Sequence, residues 1–346
     1  MKKLNVLVTG AGSGVGQSIL KSLKISNLKL NIIASDIEPF NAALFRYHKS
    51  ILIPRVENKN SLYEFIRLLK KNRINILFIG SEYEVEFFSK NKDIIEKKTN
   101  SLICVSPIKT IKIAGDKYLT FKFLKDNNLP FAKTYIPKNL NDAKEIIKKC
   151  KLPVFIKDRH GTSSRNIFLI KNKKDLMKYY ELVPNSIIQE YAGNQGNDLK
   201  NEYTCSLFFS KDSKLIGPFI ARRVLKYGTS WSIEVKKFKK IKPILLKIAK
   251  LLPSVGSLNI QLRDGKKGPI PFEFNARFSG TTSIRSHFGF NEPEMFINSY
   301  YFNKKIKNPK VKKGVALRYI DEIFLNGIQQ NSKKLLNRKG NKRDWF

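Results

Sequence analysis

The sequence predicts an α/β fold, in which a helix-flanked parallel sheet is followed by a second part built mainly of strands. Up to about residue 110, short apolar segments alternate with amphipathic helical segments, a pattern typical of βαβ units. Beyond that point strands follow one another with few helices between them. Near the end of this second part, residues 259–277 contain two alternating strand patterns joined by a turn, which predicts a hairpin with one polar face.

The first part of the chain is expected to form the parallel sheet. A glycine-rich loop, Gly10–Gly16, lies between its first strand and its first helix. The strands are expected at Leu4–Thr9, Ile32–Ser35, Ile76–Ile79 and Leu102–Val105, and the helices at Gln17–Lys24 and Asn60–Asn72. The shift in pattern after these elements places the main domain boundary near residue 110.

The second part opens with a helix at Asp116–Asn127, which a turn sequence ending at Pro130 stops. Two more helices are expected, at Lys173–Tyr180 and Ile241–Leu252. Strands are expected at Val154–Lys157, Ile167–Ile170, Ile187–Tyr191, Tyr203–Phe209 and Leu215–Val224, followed by the hairpin.

The composition describes a chain with ample material for packed cores. Its 346 residues predict two or three packed units, and 42% of them are hydrophobic. The longest apolar runs have the length of a strand and no signal peptide is apparent, so we expect no membrane span. Cys104, Cys150 and Cys205 are widely spaced, which indicates free thiols in a reducing compartment and therefore a cytoplasmic protein.

The net charge of +38 arises from 66 lysines and arginines against 28 aspartates and glutamates. A charge of this size can indicate nucleic-acid binding. The cations are, however, spread along the whole chain, without a basic arm or a nucleic-acid motif. We therefore expect no specific nucleic-acid partner, although the field would attract anionic substrates.

The hairpin carries the most informative pattern in the chain. A period of two places Asn259, Gln261 and Arg263 on one face of its first strand, and Glu273, Asn275 and Arg277 on one face of its second. One carboxylate and two amides suit Mg²⁺, which completes its shell with water and substrate phosphate. A neighbouring arginine can neutralise phosphate charge with a fixed fork of donors. The hairpin is therefore a candidate site for a metal-bound polyphosphate.

The glycine-rich loop allows another interpretation, in which the protein is an NAD(P)-dependent oxidoreductase. Thr9–Gly16 fits the glycine pattern of short-chain dehydrogenases, Asp36 lies at a ribose-binding distance, and Tyr118 and Lys122 form a Tyr-x-x-x-Lys pair. Against this interpretation, the strict G-x-G-x-x-G spacing fails and the later strands lack crossover helices. Glycines at a strand-to-helix turn can also serve backbone geometry alone.

Two further segments could contact a nucleotide. Lys157 leaves an apolar strand and enters loop 158–165, whose amides and hydroxyls could cover phosphate oxygens. The strand end Gln189-Glu-Tyr191 could offer backbone groups to an adenine edge. Each segment alone is also compatible with an ordinary strand end.

Taken in order, these segments resemble the ATP-grasp ligases, and most closely the branch similar to the large subunit of carbamoyl-phosphate synthetase. The resemblance covers about residues 1–300 and is strongest in the hairpin. In loop 158–165 the chain departs from the family pattern, because glycines are fewer and Asp158 replaces a common proline. The matching motifs are Val6–Ile19, Gly115-Asp-Lys117, Phe155-Ile-Lys157, Arg159–Arg165, Ile188–Tyr191, Glu202-Tyr-Thr, Asn259-Ile-Gln261 and Phe272–Gly280.

The resemblance implies a role for each matching residue. Lys117 and Lys157 would hold ATP phosphates, and Arg277 together with Lys157 would act on the transferred phosphate. The mobile loop would contain Ser163, Ser164 and Arg165; the other nucleotide contacts would be Gln189, Glu190, Tyr191 and Glu202; and the metal ligands would be Gln261, Glu273 and Asn275. The implied domains are a Rossmann-like domain at 1–108, an ATP-grasp small lobe at 109–189, a large lobe at 190–330 and a basic tail at 331–346.

The implied activity is an ATP-dependent carboxylate ligase that uses Mg²⁺, or Mn²⁺ in its place. A small-molecule carboxylate would form an acyl phosphate, and an amine would displace the phosphate to give an amide, with ADP released. A homodimer is compatible with this interpretation. Candidate substrate contacts are Arg222, Arg223, Arg285 and Glu82, although each arginine could equally form a structural ion pair. A non-catalytic polyanion-binding protein on an ATP-grasp scaffold is the third hypothesis.

Overall fold

The structure is a computed structural model that describes residues 3–47, 49–162, 166–193, 202–266 and 268–327. In these ranges the strands form three sheets, of five, four and six strands. No helix in the same ranges is long and apolar enough to cross a bilayer.

The first sheet is parallel, with the strand order β3-β2-β1-β4-β5. Its strands are β1 (Leu4–Val8), β2 (Leu30–Asp36), β3 (Lys49–Leu52), β4 (Ile76–Phe78) and β5 (Leu102–Cys104), and its helices are α1 (Gly14–Lys24), α2 (Ser61–Lys71) and α3 (Glu82–Thr99), with a 3-10 helix at Ala42–Arg46. The predicted parallel sheet is confirmed. Helix α3 was not expected because it is largely charged and buries few of its side chains, which are Glu84, Val85, Phe88 and Ile95.

A second, antiparallel sheet has the order β6-β9-β7-β8. Helices α4 (Ile108–Gly115) and α5 (Lys117–Asp126) precede it, and its strands are β6 (Thr134–Tyr135), β7 (Val154–Asp158), β8 (Ile167–Ile170) and β9 (Ser186–Glu190). Helix α6 (Leu140–Lys149) lies between β6 and β7, and α7 (Lys173–Tyr179), with a 3-10 helix at Tyr180–Leu182, lies between β8 and β9. These two last helices pack on one face of the sheet and give it a core of its own. We refer to this unit as the small lobe.

The third sheet is antiparallel and has the order β14-β13-β10-β11-β12-β15. Its strands are β10 (Glu202–Phe209), β11 (Leu215–Lys226), β12 (Thr229–Val235), β13 (Gly256–Gly265), β14 (Gly268–Asn275) and β15 (Gly314–Leu317), and its helices are α8 (Lys242–Leu251), α9 (Thr282–His287) and α10 (Glu292–Phe296), with a π-helix at Ile297–Tyr301. Every residue of β10 is buried. We refer to this unit as the large lobe, and its β13–β14 hairpin is the predicted one.

The first domain and the large lobe share their hydrophobic cores. One core joins Leu7 and Ile33 of the parallel sheet to Leu207 and Ile260 of the large lobe. In the other, the ring of Phe78 at the end of β4 contacts the rings of Phe278 and Phe296, each 5.5 Å away between centroids. The parallel sheet therefore provides a fixed support for the hairpin side of the large lobe.

The glycine-rich loop packs tightly against the end of β4. Gly10 has a φ of +52°, and a Cβ on Gly16 would lie 2.1 Å from the Gly10 carbonyl oxygen. A Cβ on Gly80 would lie 2.1 Å from the Thr9 carbonyl oxygen. The Gly12 amide donates to Asp36 at 2.8 Å. In this structure the glycines thus serve close backbone packing, and Asp36 holds the loop.

We predict that Gly80→Ala destabilises the fold by about 1–3 kcal/mol or more, because the added methyl group must displace backbone atoms. Gly14→Ala is the matched control, since nothing lies within 4 Å of its Cβ position. That substitution should be neutral or stabilising by about 0.5–1 kcal/mol. Chemical denaturation measures both free energies of unfolding, and equal values for the two variants would contradict the packing account.

Candidate active site

A cavity of about 320 Å³ lies between the small lobe and the large lobe. It brings together side chains that are distant in sequence, from α5, β7, β9 and four strands of the large lobe. The polar and charged residues that line it include Lys117, Lys157, Thr162, Gln189, Glu202, Arg223, Gln261, Arg263 and Glu273, and the apolar ones include Phe155, Ile167, Ala192, Leu225 and Phe272.

Lys117 reaches the cavity because the start of α5 is tied to the loop after β7. Asp116 caps α5 by accepting the amides of Tyr118 and Leu119, and it also binds Arg159 of the loop at 2.6 Å. Burial raises the pKa of Asp116, but the hydrogen bond and charge of Arg159, together with the hydrogen bonds from the amides of Leu119 and Tyr118, outweigh burial and leave the pKa below its usual value. The ammonium of Lys117 donates to the Gly161 carbonyl at 2.5 Å. Lys117 is therefore fixed next to the loop that follows Lys157.

Lys157 lies near the end of β7 and is 5% exposed. Burial, together with the positive charge of Lys117, lowers the pKa of Lys157 to about 8. Its ammonium lies 5.7 Å from the centre of the Phe272 ring and forms no ion pair with any carboxylate that the structure describes. Two neighbouring lysines without a carboxylate of their own favour the binding of an anion between them.

Glu202 is buried at the base of the cavity between two arginines. One carboxylate oxygen accepts from Arg223 at 2.6 Å and the other from Arg263 at 2.7 Å. Burial raises the pKa of Glu202, but the charges and hydrogen bonds of Arg223 and Arg263 lower it by more. The net pKa is therefore below its usual value and the group is held ionised. Arg223 also donates to Gln261 at 2.6 Å, and Arg263 donates to the Tyr191 hydroxyl. Glu202 thereby links β10, β11 and β13 to the end of β9.

The other end of the cavity has apolar walls. The ring of Phe155 stacks on that of Tyr191, with 5.0 Å between their centroids. Gln189 is buried and donates to the Thr134 hydroxyl at 2.8 Å, while the Glu190 amide donates to the Lys133 carbonyl at 2.9 Å. A slot with aromatic and aliphatic walls beside a strand end suits a flat heterocyclic ring.

The hairpin aligns the predicted metal ligands. Gln261 pairs with Glu273 across the two strands, and Asn259 pairs with Asn275. The amide groups of Gln261 and Asn275 lie 3.3 and 3.2 Å from the same carboxylate oxygen of Glu273. A register shift follows Gln261, so Arg263 is opposite Ile270 of β14. On its other side Arg263 is opposite Glu202 of β10, to which it donates.

This donor set fits a hard cation. One carboxylate and two amides provide oxygen ligands of the kind that Mg²⁺ prefers. Within the described ranges no cluster of three His, Cys, Asp or Glu side chains could hold a metal ion. The hairpin cluster is the candidate metal centre because of its residue types. The amide nitrogens of Gln261 and Asn275 face Glu273, and their oxygens accept from Arg223 and Arg277, so a cation would require both amides to turn.

Arg277 connects the hairpin to the first domain. Its guanidinium donates to Asn275 at 2.9 Å, to the Phe278 carbonyl at 2.8 Å, and to the carboxylate of Glu82 at the start of α3. The side chains of Arg277 and Glu82 are 15% and 28% exposed. The structure thus places both predicted residues in contact with each other, partly exposed, and Arg277 next to the candidate metal ligand Asn275.

The arginines that were candidate substrate contacts occupy three different environments. Arg285 is fully buried and pairs with Glu292 at 3.1 Å, so the structure shows the structural ion pair and not a substrate contact. Arg222 lies over the rings of Tyr203 and Phe238, outside the cavity. Arg223 lines the cavity, because successive residues of a strand point to opposite faces.

Some site residues could not be assessed, and others were missed. Ser163, Ser164 and Arg165 lie outside the described residues. Phe155, Phe272 and the loop anchor Arg159 were not expected to shape the site, since a strand phenylalanine or a loop arginine carries no motif of its own. Arg263 could have been found, because it shares the strand face of Gln261.

Comparisons with protein families match two adjoining segments of the chain. Residues 114–202 match the RimK-like ATP-grasp domain, and residues 201–323 match the ATP-grasp domain in the biosynthetic pathway with the Ter operon. Together, the two segments contain all the residues that line the cavity. The resemblance to ATP-grasp ligases is therefore confirmed.

Curated relatives match over part of their length. Coenzyme gamma-F420-2:alpha-L-glutamate ligase of Methanocaldococcus jannaschii is 30% identical over 127 residues, which are 35% of this chain and 41% of that protein. Uncharacterized protein MG011 of Mycoplasma genitalium is 28% identical over 186 residues, 52% of this chain and 60% of that protein. The chain thus spans about half the length of the curated relatives that it matches.

Solved structures share the fold of nearly the whole chain. N5-carboxyaminoimidazole synthetase from Staphylococcus aureus, in complex with ADP, superposes with a TM-score of 0.71 at 12% identity, covering 98% of this chain and 92% of that one. Biotin carboxylase from Campylobacter jejuni gives a TM-score of 0.70 at 15% identity, with coverages of 91% and 74%. These similarities confirm the predicted fold, with a parallel-sheet domain followed by two lobes.

We predict that Arg285→Leu lowers the free energy of unfolding by about 3–5 kcal/mol, because it leaves the buried Glu292 without its counter-charge. Arg222→Leu is the matched control, since its 3.8 Å pair with Asp264 is partly exposed. That variant should lose less than about 1 kcal/mol. Urea denaturation of both proteins tests the assignment, which a loss for Arg285→Leu as small as the control's would contradict.

Proposed function

We propose that this chain, which carries the ATP-grasp fold, is an ATP- and magnesium-dependent carboxylate ligase. It would phosphorylate a carboxylate to an acyl phosphate, join it to an amine as an amide, and release ADP and phosphate. The observation that carries this proposal is the cavity in which Lys117 and Lys157 lie opposite the Gln261, Glu273 and Asn275 cluster.

The charges in the cavity support a polyphosphate ligand. Among the described lining residues there are four cations and two carboxylates. Glu202 is shared by Arg223 and Arg263, so these three residues largely satisfy one another. Lys117 and Lys157 remain for phosphate oxygens, and Glu273 remains for the metal ion. A water-poor cavity strengthens each of these interactions.

The apolar slot and the strand end of β9 would receive the adenine ring. Phe155, Ile167, Leu225 and Phe272 provide its walls, and the backbone near Ala192 lies at its edge. The phosphates would then extend from this slot towards the hairpin. The ribose contact proposed for Glu202 would be indirect, because both its oxygens are already bound by guanidinium groups.

The arrangement suits phosphoryl transfer, which requires alignment and neutralised charge more than covalent help from the protein. Bound Mg²⁺ would neutralise charge on the phosphates. The two lysines would hold the phosphate oxygens, and Arg277 would face the transferred group at the end of the hairpin. The carboxylate would bind beside Arg277, which lies next to Asn275 of the hairpin cluster.

The relatives suggest where to look for substrates. One curated relative is a glutamate ligase, and several structural neighbours are carboxylases or carboxyamino-imidazole synthetases, one of them solved with bicarbonate. We therefore propose bicarbonate and amino-acid carboxylates as first substrates to test for ADP formation. The oxidoreductase interpretation gains no support from the described residues, because the glycine loop is held by Asp36 and packed on Gly80.

We predict that MgATP stabilises the wild-type protein by about 2.7 kcal/mol at a hundred times its dissociation constant, a shift that thermal denaturation detects. Glu273→Ala should lose the magnesium-dependent part of this shift while keeping the fold. Glu64→Ala, on an exposed position of α2, is the control and should behave as the wild type. An undiminished magnesium-dependent shift in Glu273→Ala would reject the metal assignment.

We also predict that the affinity for MgATP falls about tenfold between pH 7 and pH 9. The folded protein loses the charge of Lys157 as the pH rises through about 8, below the ordinary range of lysine, and phosphate binding requires the charged form. Lys157→Arg keeps its charge over this range and should show little pH dependence. Calorimetric titration at constant free Mg²⁺ measures both affinities, and the same slope in both proteins would assign the titration to another group.

A further inference from the structure

We propose that Glu82 binds the ammonium group of the acceptor amine and takes up its proton as the amide forms. This inference rests on the proposed function and deepens it, because it assigns the acceptor a chemical class and a position. The substrate class is a primary amine that is protonated at neutral pH.

The position follows from a continuous row of polar contacts that leads away from the nucleotide cavity. Glu273, which lines the cavity, contacts Asn275 at 3.2 Å, and Asn275 accepts from Arg277 at 2.9 Å. Arg277 in turn binds Glu82 of the first domain. The transferred phosphate would lie at the hairpin cluster, and the acyl group would lie by Arg277. The next group along the row, Glu82, is therefore in place for the nucleophile.

Glu82 has the free capacity that such a role requires. Arg277 donates to one of its oxygens, and no donor among the described residues reaches the other. Its side chain is 28% exposed, so a ligand can approach it from solvent.

The other carboxylates near Glu82 and the nucleotide cavity already have partners or assigned roles. Glu202 is bound by two guanidinium groups, and Glu273 belongs to the candidate metal cluster. Glu84, two residues further along α3, is buried and accepts from the Thr9 hydroxyl. The nucleotide cavity itself has an excess of cations, which repel an ammonium ion. Glu82 is thus the carboxylate placed to attract a cationic acceptor to the acyl phosphate.

The step balances in atoms and charge. The nitrogen of the acceptor attacks the acyl carbon, a C–N bond forms, and the bond from the acyl carbon to the phosphate oxygen breaks. The ammonium held at Glu82 first releases one proton to solvent, which leaves the neutral amine with the lone pair that attacks. As the C–N bond forms, the nitrogen becomes far more acidic and gives a second proton to Glu82, which passes it to the departing phosphate to give hydrogen phosphate.

A purely structural role for Glu82, in which it only orients Arg277, predicts a different outcome. Hydroxylamine distinguishes the two roles because it is largely uncharged at neutral pH and traps an acyl phosphate as a hydroxamate. If Glu82 handles the ammonium, Glu82→Gln should leave hydroxamate formation within about threefold of the wild type. Amide formation with glycinamide should then fall by about a hundredfold or more.

The experiment compares wild type, Glu82→Gln and the control Glu86→Gln with MgATP and the carboxylate, from bicarbonate and the amino acids, that supports ADP formation. Glu86 lies on the exposed side of the same helix and pairs with Lys90 at 2.7 Å, so its variant should match the wild type. The amide-forming rate of Glu82→Gln should also rise about tenfold from pH 7 to pH 9, as the α-amine of glycinamide loses its proton. The wild-type rate should change much less.

Two outcomes would overturn the inference. Equal losses of hydroxamate and amide formation in Glu82→Gln would mean that Glu82 only positions Arg277. Unchanged rates with both nucleophiles would mean that Glu82 has no part in the reaction. Failure of the proposed function itself is distinguishable, because the wild type would then form neither ADP nor hydroxamate with any tested carboxylate.

Discussion

Glu202 is 3% exposed and divides its carboxylate between Arg223 and Arg263, at 2.6 and 2.7 Å. Removal of this one charge would leave two guanidinium groups in a buried site without a partner, at a cost of several kcal/mol. Through these arginines the carboxylate also fixes Gln261 of the hairpin and Tyr191 of the small lobe. The shape of the cavity and the relative position of its two walls depend on this interaction.

Because Glu202 is already bound by its two arginines, the other charged residues form an ordered row from the cavity to the first domain. Lys117 and Lys157 lie on the small-lobe side, and the lowered pKa of Lys157 shows that burial and the charge of Lys117 disfavour its charged form, a cost that a bound anion would offset. The hairpin places Glu273 opposite them, and Arg277 and Glu82 follow towards the first domain. Such a site is organised before any ligand enters, which is how a protein stabilises developing charge at low reorganisation cost. The shared cores of the first domain and the large lobe keep the two ends of this row in register.

The hairpin and the parallel sheet could be predicted from the sequence because each depends on a local period. The alternation from Asn259 to Gln261 and from Glu273 to Asn275 fixes the face of each side chain, and the observed strand pairing agrees with it. The contact of Arg263 with Glu202 could not be predicted, since it depends on the pairing of β13 with β10, which are distant in sequence. The burial of Arg285 depends on Thr204 and Asn259, which are distant in sequence, as well as on the nearby Glu292. The anchoring of loop 158–165 by Arg159 depends on Asp116, which is also distant. Helix α3, whose surface is mostly charged, gave no clear apolar period, yet its first residue faces Arg277.

If a carboxylate is activated by phosphorylation at the hairpin cluster, one of its oxygens must pass to the released phosphate. The most direct measurement uses a carboxylate labelled with ¹⁸O, incubated with the protein, MgATP and an amine, followed by ³¹P NMR of the released phosphate. The account predicts that one labelled oxygen passes from the carboxylate to inorganic phosphate, since the acyl phosphate retains that oxygen until the amine displaces it. Release of ADP with unlabelled phosphate would mean that water attacks ATP directly, which would contradict the ligase assignment.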